Sequence, residues 1–117
     1  MKKPVFVSAQ DAAAMIGDGK TVATIGMTLV SASETILKAI EKRFLETGSP
    51  NQLTLVHSCG QSDRDRGIQH FSHDGMLKCI IGGHWGLQPR MMKMIAENKM
   101  LAYCLPQGQF AQLYRSM

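Results

Sequence analysis

The segment Leu53-Thr54-Leu55-Val56, followed at once by His57-Ser58-Cys59-Gly60, shows the pattern that decides the fold. A short apolar run stops at a loop that contains glycine, and a helix-like stretch comes next. Strands that alternate with helices in this way are typical of an α/β protein, so we predict an open parallel sheet with helices on both faces. Ligands of such sheets bind beyond the carboxyl ends of the strands, which directs the search for function to the loops. The same pattern recurs at Thr21–Ile25 before Gly26, at Cys79–Ile81 before Gly82–Gly86, and at Leu101–Leu105 before Pro106–Gly108.

Length and composition restrict the class of protein. A chain of 117 residues is one domain, and its 44% of hydrophobic residues is typical of a soluble protein. No apolar run approaches the ~20 residues that span a bilayer, and Lys2 and Lys3 precede no apolar signal segment, so we expect neither a membrane partner nor export. The chain has three cysteines, an odd number, and they are widely spaced at Cys59, Cys79 and Cys104. This pattern favours free thiols in the cytoplasm.

The net charge of +4 does not indicate a nucleic-acid partner. Nucleic-acid-binding proteins cluster their basic residues on one surface, whereas the basic residues here are scattered and interspersed with acids. We interpret most of them as solvated helix faces and expect no nucleic acid to bind.

Capping signals and apolar spacing predict the helices. Ser8 with Asp11 predicts the start of a first helix, and Ser31 with Glu34 forms an S-x-x-E capping pattern before a second. That second helix is predicted to end at Gly48-Ser49-Pro50. Its predicted apolar face consists of Ile36, Leu37, Ile40 and Phe44. Three later stretches are also predicted to be helical, namely a short helix or turn at 68–75, a helix that begins near Pro89, and a helix over 108–117.

Three loops carry candidate binding residues. The loop Gly82-Gly83-His84-Trp85-Gly86 contains the only tryptophan of the chain. Its paired glycines permit a positive φ and the close approach of another group, which suits a binding loop. A tight turn beside a core tryptophan explains the same residues equally well. Gly26-Met27-Thr28-Leu29-Val30-Ser31 leads into a capped helix whose N–H groups could bind an anion, and an ordinary strand–helix turn is the alternative. Pro106-Gln107-Gly108 places an amide suited to an oxyanion contact at a strand end, but a lone Gln is more often a surface residue.

Metal and thiol chemistry have less support. His57 with Cys59, and His70 with His73, are the only close pairs of histidines and cysteines, and zinc sites usually show tighter, repeated spacing, so we expect no metal site. The cysteines at strand ends have no local nucleophile signature and are interpreted as buried, inert thiols. The four glutamates are interpreted as surface or capping residues: Glu34, Glu41, Glu46 and Glu97.

Taken together, several segments resemble the amino-terminal part of the acetate/propionate type of CoA-transferase. They occur in order and without large gaps: Asp18–Val22, Gly26-Met27, Glu41–Gly48, Asp63–Gly67, Gly82–Trp85, Glu97–Met100 and Pro106–Gly108. The resemblance implies the α/β fold that this family shares with sugar-phosphate isomerases, here incomplete. It further implies that residues 1–117 are a truncated amino-terminal part of a CoA-transferase domain.

The resemblance also implies roles for individual residues. Gln107, next to Gly108, matches the Gln that helps to hold the thioester oxygen. Gly26 and Met27 match the glycine-rich loop beside the acyl pocket, although Thr28 and Leu29 stand where the family usually has a second glycine. A loop that lines the same cleft is matched by Gly82, Gly83, His84 and Trp85. The family forms a glutamyl-CoA thioester on a glutamate of its carboxyl-terminal half, and that half has no counterpart in this sequence.

The implied partners are acyl-CoA and carboxylate small molecules, with CoA as a substrate rather than a permanently bound cofactor, together with the remainder of the enzyme or a second subunit. Exposed apolar surface and an open sheet edge would favour a homo-oligomer. Two alternatives stay open. One is a non-catalytic module that binds acyl-CoA or associates with itself, and the other is a metal-dependent hydrolase that uses the histidines.

Overall fold

Four parallel strands and their connecting helices form the fold in the computed structural model, which describes residues 3–117. The elements in chain order are α1 (Ala9–Ala14), β1 (Thr21–Thr24), α2 (Glu34–Thr47), β2 (Leu53–His57), a 3-10 helix (Gly67–Phe71), β3 (Leu77–Gly82), α3 (Pro89–Ala96), β4 (Leu101–Cys104) and α4 (Gln107–Ser116). The strand order is β1-β2-β3-β4 and all neighbours are parallel, so the predicted parallel α/β sheet is confirmed. Within 3–117, no helix has the length and apolar character that crossing a membrane requires.

The register divides the sheet into a covered face and an open face. Sequential parallel strands joined by right-handed crossovers place their connections on one side, and the core on that side draws residues from α1, α2, the 3-10 helix and α3. On the open face, Thr21 and Ala23 of β1 and Leu101 and Tyr103 of β4 are exposed, so the helices expected on this second face do not cover the outer strands. The core on the covered face includes Val22, Leu55, Ile80 and Ala102 from the strands, Leu37 and Ile40 from α2, Ile68 and Phe71 from the 3-10 helix, and Met91 and Met94 from α3.

The amino-terminal helix forms as its capping residues predict. Ser8 Oγ accepts a hydrogen bond from the Asp11 N–H at 3.0 Å and donates to the Asp11 carboxylate at 2.7 Å. At the other end of α1, the Arg43 guanidinium of α2 donates to the Ala13 and Ile16 carbonyls at 3.3 and 2.8 Å. Because the last carbonyls of a helix lack partners within the helix, this contact fixes α1 against α2.

The second helix begins two residues later than its capping pattern predicts. Ser33 precedes the first helical residue, and Ser31 has a φ of 63° outside the helix. Glu34 is therefore the first helical residue, and its Oε2 accepts from the Gly67 N–H at 2.9 Å rather than from the backbone near Ser31. The predicted S-x-x-E capping box is wrong because the Glu34 side chain contacts the 3-10 helix instead.

Glu34 belongs to a set of four side chains, called here the Glu–His cluster, which comprises Glu34, Glu41, His70 and His73. His70 Nε2 lies 2.8 Å from Glu34 Oε1 and its Nδ1 lies 2.5 Å from Glu41 Oε2, while His73 Nε2 lies 2.6 Å from Glu41 Oε1. Both ring nitrogens of His70 thus face a carboxylate, and Glu41 contacts both imidazole rings. The expectation that Glu34 and Glu41 are only surface or capping residues is wrong.

Two opposing effects act on the pKa values of these carboxyl groups. Burial acts to raise the pKa of Glu34 and of Glu41, but hydrogen bonds from His70 to both, from Gly67 to Glu34 and from His73 to Glu41 outweigh it. The pKa of each group is therefore lower than its usual value, and both groups are ionised at neutral pH. The cluster joins α2 to the 3-10 helix through charge as well as through apolar packing.

Replacing Glu41 by Gln is expected to lower the free energy of unfolding by about 2 kcal/mol, because a neutral amide weakens the hydrogen bonds with two imidazole rings. Glu46→Gln is the matched control, since Glu46 lies on the same helix in an exposed 3.8 Å ion pair with Lys42 and should contribute less than ~1 kcal/mol. Urea unfolding at pH 7, followed by circular dichroism, measures both variants. Equal losses would contradict a stabilising role of the cluster.

Candidate functional site

The predicted binding residues lie in or next to the loops at one edge of the sheet, because all four strands run in the same direction. Gly26-Met27 follows β1, Gly82–Trp85 begins at the end of β3, and Gln107-Gly108 follows β4. On the covered face, the register aligns four residues in one row at this edge, named here the carboxyl-edge row: Thr24, His57, Gly82 and Cys104. This row and the loops beyond it form the candidate site.

His57 is the buried centre of the carboxyl-edge row. Trp85 Nε1 donates to His57 Nε2 at 3.0 Å, and His57 Nδ1 lies 2.8 Å from the Cys59 carbonyl oxygen. Since Nε2 accepts from the indole, Nδ1 carries the proton and donates to the carbonyl, which makes the ring neutral and assigns one tautomer. Burial lowers the pKa of His57 to about 4, in agreement with a neutral ring.

Gly82 makes room for the contact between His57 and Trp85. It pairs with His57 in the sheet, and a Cβ at this position would overlap His57 Nε2 and come within 2.9 Å of Trp85 Nε1. A Cβ at Gly83 would overlap the carbonyl of Ser58. Neither glycine has a positive φ, so that part of the sequence interpretation is wrong. The two glycines do permit a close approach, and the atoms that approach belong to this chain.

His84 is exposed and connects the loop after β3 to the loop after β2. Its Nε2 accepts from the Gly60 N–H at 3.1 Å, and a Cβ at Gly60 would come within 2.5 Å of the His84 ring at Cε1. Trp85 is partly buried and meets the His57 ring edge-on, with 6.3 Å between the ring centroids. His84 is thus held by Gly60, which follows β2, and Trp85 is held by His57, the last residue of β2.

The segment Gly26–Val30, called here the glycine loop, is hydrogen-bonded to Cys59 and Gly60, which follow β2. Gly26 has a φ of 151°, and a Cβ there would lie 2.8 Å from the Val30 carbonyl oxygen, so glycine is required. The Thr28 N–H donates to the Gly60 carbonyl at 2.8 Å. Cys59 Sγ donates to the Gly26 carbonyl at 3.0 Å. The loop after β2 therefore anchors both neighbouring loops.

Thr28 occupies a strained position in the glycine loop. Its φ is 51°, a left-handed conformation that β-branched residues rarely adopt and that costs about 1–2 kcal/mol. Its hydroxyl donates to the Met27 carbonyl at 2.7 Å. Thr28 stands in the stretch where the family resemblance places a second glycine, and the positive φ is a conformational reason for that preference.

Gln107 and Gly108 are exposed at the start of α4. Their position is set by the end of β4, where the Leu105 N–H donates to the Gly82 carbonyl at 3.1 Å. Farther along α4, the Tyr114 hydroxyl donates to the Thr24 carbonyl at 3.0 Å, so the helix reaches back to β1. The structure thus brings Gln107, the Trp85 loop and the glycine loop to one edge.

An apolar groove of about 340 Å³ lies between β1 and α2. Its lining includes Val22, Ile36 and Ile40, together with Ile25 and Ser31 on either side of the glycine loop. The hydroxyl of Thr24, which also lines the groove, is buried without a hydrogen-bond partner in the described part of the chain. Neither Trp85 nor Gln107 lines the groove, so this groove and the edge that holds those two residues are separate surfaces.

The histidines and cysteines provide no metal centre in the part of the chain that the structure describes. No group of three or more His, Cys, Asp or Glu side chains there has an arrangement that could hold a metal ion. His70 and His73 instead contact carboxylates of the Glu–His cluster, and all three cysteines are free thiols.

Sequence reasoning missed two residues of the site. The predicted roles of His57 do not include a buried structural one, although Leu53, Leu55 and His57 alternate along β2 and thus predict that the imidazole faces the core. Gln61 has no predicted role; it is buried and its Nε2 donates to the Thr24 carbonyl at 2.9 Å. No pattern in the sequence connects Gln61 with β1, because the contact joins residues far apart in the chain.

Gly82→Ala is expected to lower the free energy of unfolding by about 2 kcal/mol, because the added methyl group must displace His57 or the Trp85 indole. Gly86→Ala is the matched control in the same loop, since its nearest neighbour, His84 Nδ1, lies at an ordinary 3.6 Å. Its effect should stay within about 0.5 kcal/mol. Denaturant unfolding followed by the emission of Trp85, the only tryptophan, measures both variants. Similar losses would show that the close approach at Gly82 is unimportant.

The pKa of His57 falls from its usual value of 6.5 to about 4 when the chain folds. The free energy of unfolding is therefore expected to decrease as the pH is lowered through this range. Between these values the unfolded chain binds a proton that the buried ring does not, so each step toward acid favours the unfolded state. The whole difference corresponds to roughly 3 kcal/mol. Urea unfolding at a series of pH values measures it. His57→Asn should flatten the profile in this window, and an unchanged slope would contradict the assignment.

Comparisons with known proteins agree on one family, although no model of a protein family matches the chain. The acetate CoA-transferase YdiF of Escherichia coli (strain K12) is 33% identical over 112 residues, which cover 94% of this chain and 21% of that protein. The caffeate CoA-transferase of Acetobacterium woodii is 35% identical over 113 residues, which cover 96% of this chain and 22% of that protein.

Solved structures give the same result. The apoenzyme of the acyl-CoA transferase YdiF from Escherichia coli O157:H7 has a TM-score of 0.84 at 32% identity, over 96% of this chain and 23% of that one. A YdiF thioester complex with CoA has a TM-score of 0.79 at 34% identity, over 87% of this chain and 20% of that one. The chain spans about a fifth of the length of these relatives. By sequence and by fold, the chain is similar to one part of CoA-transferases.

Proposed function

We propose that this chain supplies the amino-terminal portion of an enzyme that transfers CoA between a short-chain acyl-CoA and a carboxylic acid. The observation that carries the proposal is the match to CoA-transferases over nearly the whole chain, together with the position of the matched loops at one edge of the sheet. CoA is a substrate in this proposal, and a tightly bound cofactor has no part in it.

The glycine loop and the loop of Trp85 would line the acyl-thioester cleft, with Gly26, Met27, Gly82, Gly83, His84 and Trp85 as binding residues. Gln107, beside Gly108, would donate from its side-chain amide to the thioester oxygen. An amide donor stabilises negative charge that develops on that oxygen without a change in its own charge. Its exposure at the start of α4 supports this role, because a ligand can approach the amide from solvent.

The nucleophilic glutamate of this proposal comes from polypeptide outside the 117 residues. Its carboxylate attacks the acyl-CoA thioester, which gives a mixed anhydride and releases the CoA thiolate. The thiolate then attacks the glutamyl carbonyl, so that a glutamyl-CoA thioester forms and the acyl group leaves as a carboxylate. All four glutamates of the chain have intramolecular partners, which supports a nucleophile from elsewhere. Glu34 and Glu41 contact His70, Glu46 pairs with Lys42, and Glu97 lies near Lys93 and Lys99. A carboxylate that is already paired is a poor candidate for a nucleophile aimed at a cleft.

The remaining partner in this proposal is polypeptide that covers the open parts of the fold, either the remainder of the enzyme or another subunit. Both β1 and β4 are edge strands, and Ile25, Met27, Leu101 and Tyr103 are more than half exposed. Uncovered edges and apolar side chains favour association, so we place the chain in an oligomer. The three free thiols suit the cytoplasm as its location.

The same exposed edges favour one alternative, a non-catalytic module that binds acyl-CoA or pairs with itself. The two hypotheses differ in what the isolated chain does. A binding module should take up CoA or acetyl-CoA in calorimetry without further polypeptide, whereas half of a cleft should bind either compound weakly.

The transferase proposal predicts no CoA transfer by the isolated chain and activity after reconstitution. The chain is combined with a full-length relative's polypeptide from which the matching fifth has been removed, and transfer from acetyl-CoA to propionate is measured. Gln107→Ala should then lower kcat about 100-fold, since it removes one donor to the developing oxyanion.

Gln112→Ala, an exposed glutamine on the same helix, is the control and should leave kcat unchanged. After incubation with acetyl-CoA, mass spectrometry should find CoA attached to the complementing polypeptide. Transfer by the isolated chain, attachment of CoA to Glu34 or Glu41, or equal rates for the two Gln variants would each contradict the proposal.

A further inference from the structure

A continuous path of hydrogen bonds joins the loop after β3 to the glycine loop after β1. Trp85 Nε1 donates to His57 Nε2 at 3.0 Å, and His57 Nδ1 donates to the Cys59 carbonyl at 2.8 Å. Cys59 Sγ then donates to the Gly26 carbonyl at 3.0 Å. Next to this last contact, the Gly60 carbonyl accepts from the Thr28 N–H at 2.8 Å. The path crosses the ends of three neighbouring strands.

Each step of the path has little freedom to rearrange. His57 is fully buried, so its ring nitrogens have no water to replace Trp85 or the Cys59 carbonyl. The missing Cβ at Gly82 leaves a space that the imidazole and the indole fill between them. At the far end, Gly26 is confined by the Val30 carbonyl and Thr28 is held at a positive φ. A strained segment persists only where surrounding contacts determine it, and these contacts come from Cys59 and Gly60.

We propose that Trp85, acting through His57 and Cys59, positions the glycine loop, so that a displacement of the indole changes the conformation and accessibility at Gly26. His57 and Cys59 are positioning residues in this arrangement. Packed groups with two discrete arrangements transmit such displacements between sites. The significance of the coupling for an acyl cleft rests on the proposed function, but the coupling itself is a property of this chain.

The chain carries its own reporters for this coupling. Cys59 is partly buried and bonded to Gly26, whereas Cys79 lies in the middle of β3, away from the path. Alkylation with iodoacetamide, resolved by peptide mass spectrometry, therefore measures opening at the glycine loop separately from opening of the sheet. The amide resonances of Gly26 and Thr28 report the conformation of the same loop without chemical modification.

The test uses Trp85→Phe, which keeps an aromatic ring and removes the N–H donor to His57. Loss of one neutral hydrogen bond should raise the alkylation rate of Cys59 about fivefold. The rate at Cys79 should stay unchanged, and the Gly26 and Thr28 resonances should shift. Tyr103→Phe is the matched control, since Tyr103 is an exposed aromatic residue on the open face of the sheet and should alter neither reporter.

Equal Cys59 rates in the two variants, with unshifted Gly26 and Thr28 resonances, would overturn the proposal. An equal rise at Cys59 and Cys79 would also overturn it, because that result indicates general unfolding. Cys59→Ser provides a second check that requires no alkylation. Its hydroxyl can still donate to the Gly26 carbonyl, so the Gly26 resonance should keep its response to Trp85→Phe. None of these measurements contains CoA, so a failure of the coupling is distinguishable from a failure of the proposed transferase function.

Discussion

The contact between a buried neutral imidazole and an indole N–H is the interaction on which the carboxyl edge of this sheet depends. His57 accepts from Trp85 and donates to the Cys59 carbonyl, and both bonds require one protonation state and one tautomer. The contact exists only because Gly82, its neighbour in β3, has no side chain. Through it, the loops after three parallel strands have a fixed relation to one another, although loops at strand ends are usually the more mobile parts of a fold.

A second polar arrangement, the Glu–His cluster, joins α2 to the 3-10 helix and to His73 just after it. Glu34 and Glu41 of α2 contact His70, and Glu34 also accepts from the Gly67 N–H. The cluster thereby fixes the 3-10 helix, whose preceding segment contains Gln61 and contacts the end of β1. Charged groups at such depth are tolerated because each carboxylate has hydrogen-bond donors that replace water. The charged side chains of α2 are therefore linked, through the 3-10 helix and Gln61, to the end of β1, where the glycine loop begins.

These contacts suit a chain that supplies one wall of a cleft rather than a complete active site. The proposed binding loops are anchored within the chain by Gly60 and His57, while the proposed oxyanion donor, Gln107, stays exposed. Each of the four glutamates has a partner within the chain, which supports the proposal that the nucleophile comes from other polypeptide. The relatives are about five times as long, which leaves ample chain for that role. The open face of the sheet and its two unpaired edges are the surfaces on which such chain would pack.

The sequence by itself determined the parallel α/β class, the positions of the four strands and the resemblance to CoA-transferases, because apolar runs, glycine-containing loops and motif order are local or linear signals. It also placed Gly26, Trp85 and Gln107 at strand ends. Only the tertiary structure decided which partners those ends have. Glu34 does not cap its helix but contacts His70 and the Gly67 N–H. The absence of a side chain at Gly82 leaves space for the His57 ring. Gln61 donates a hydrogen bond to the Thr24 carbonyl of β1. The physical reason is that hydrogen bonds and close packing between residues distant in the chain compete with local preferences, and burial strengthens these contacts once the sheet has formed.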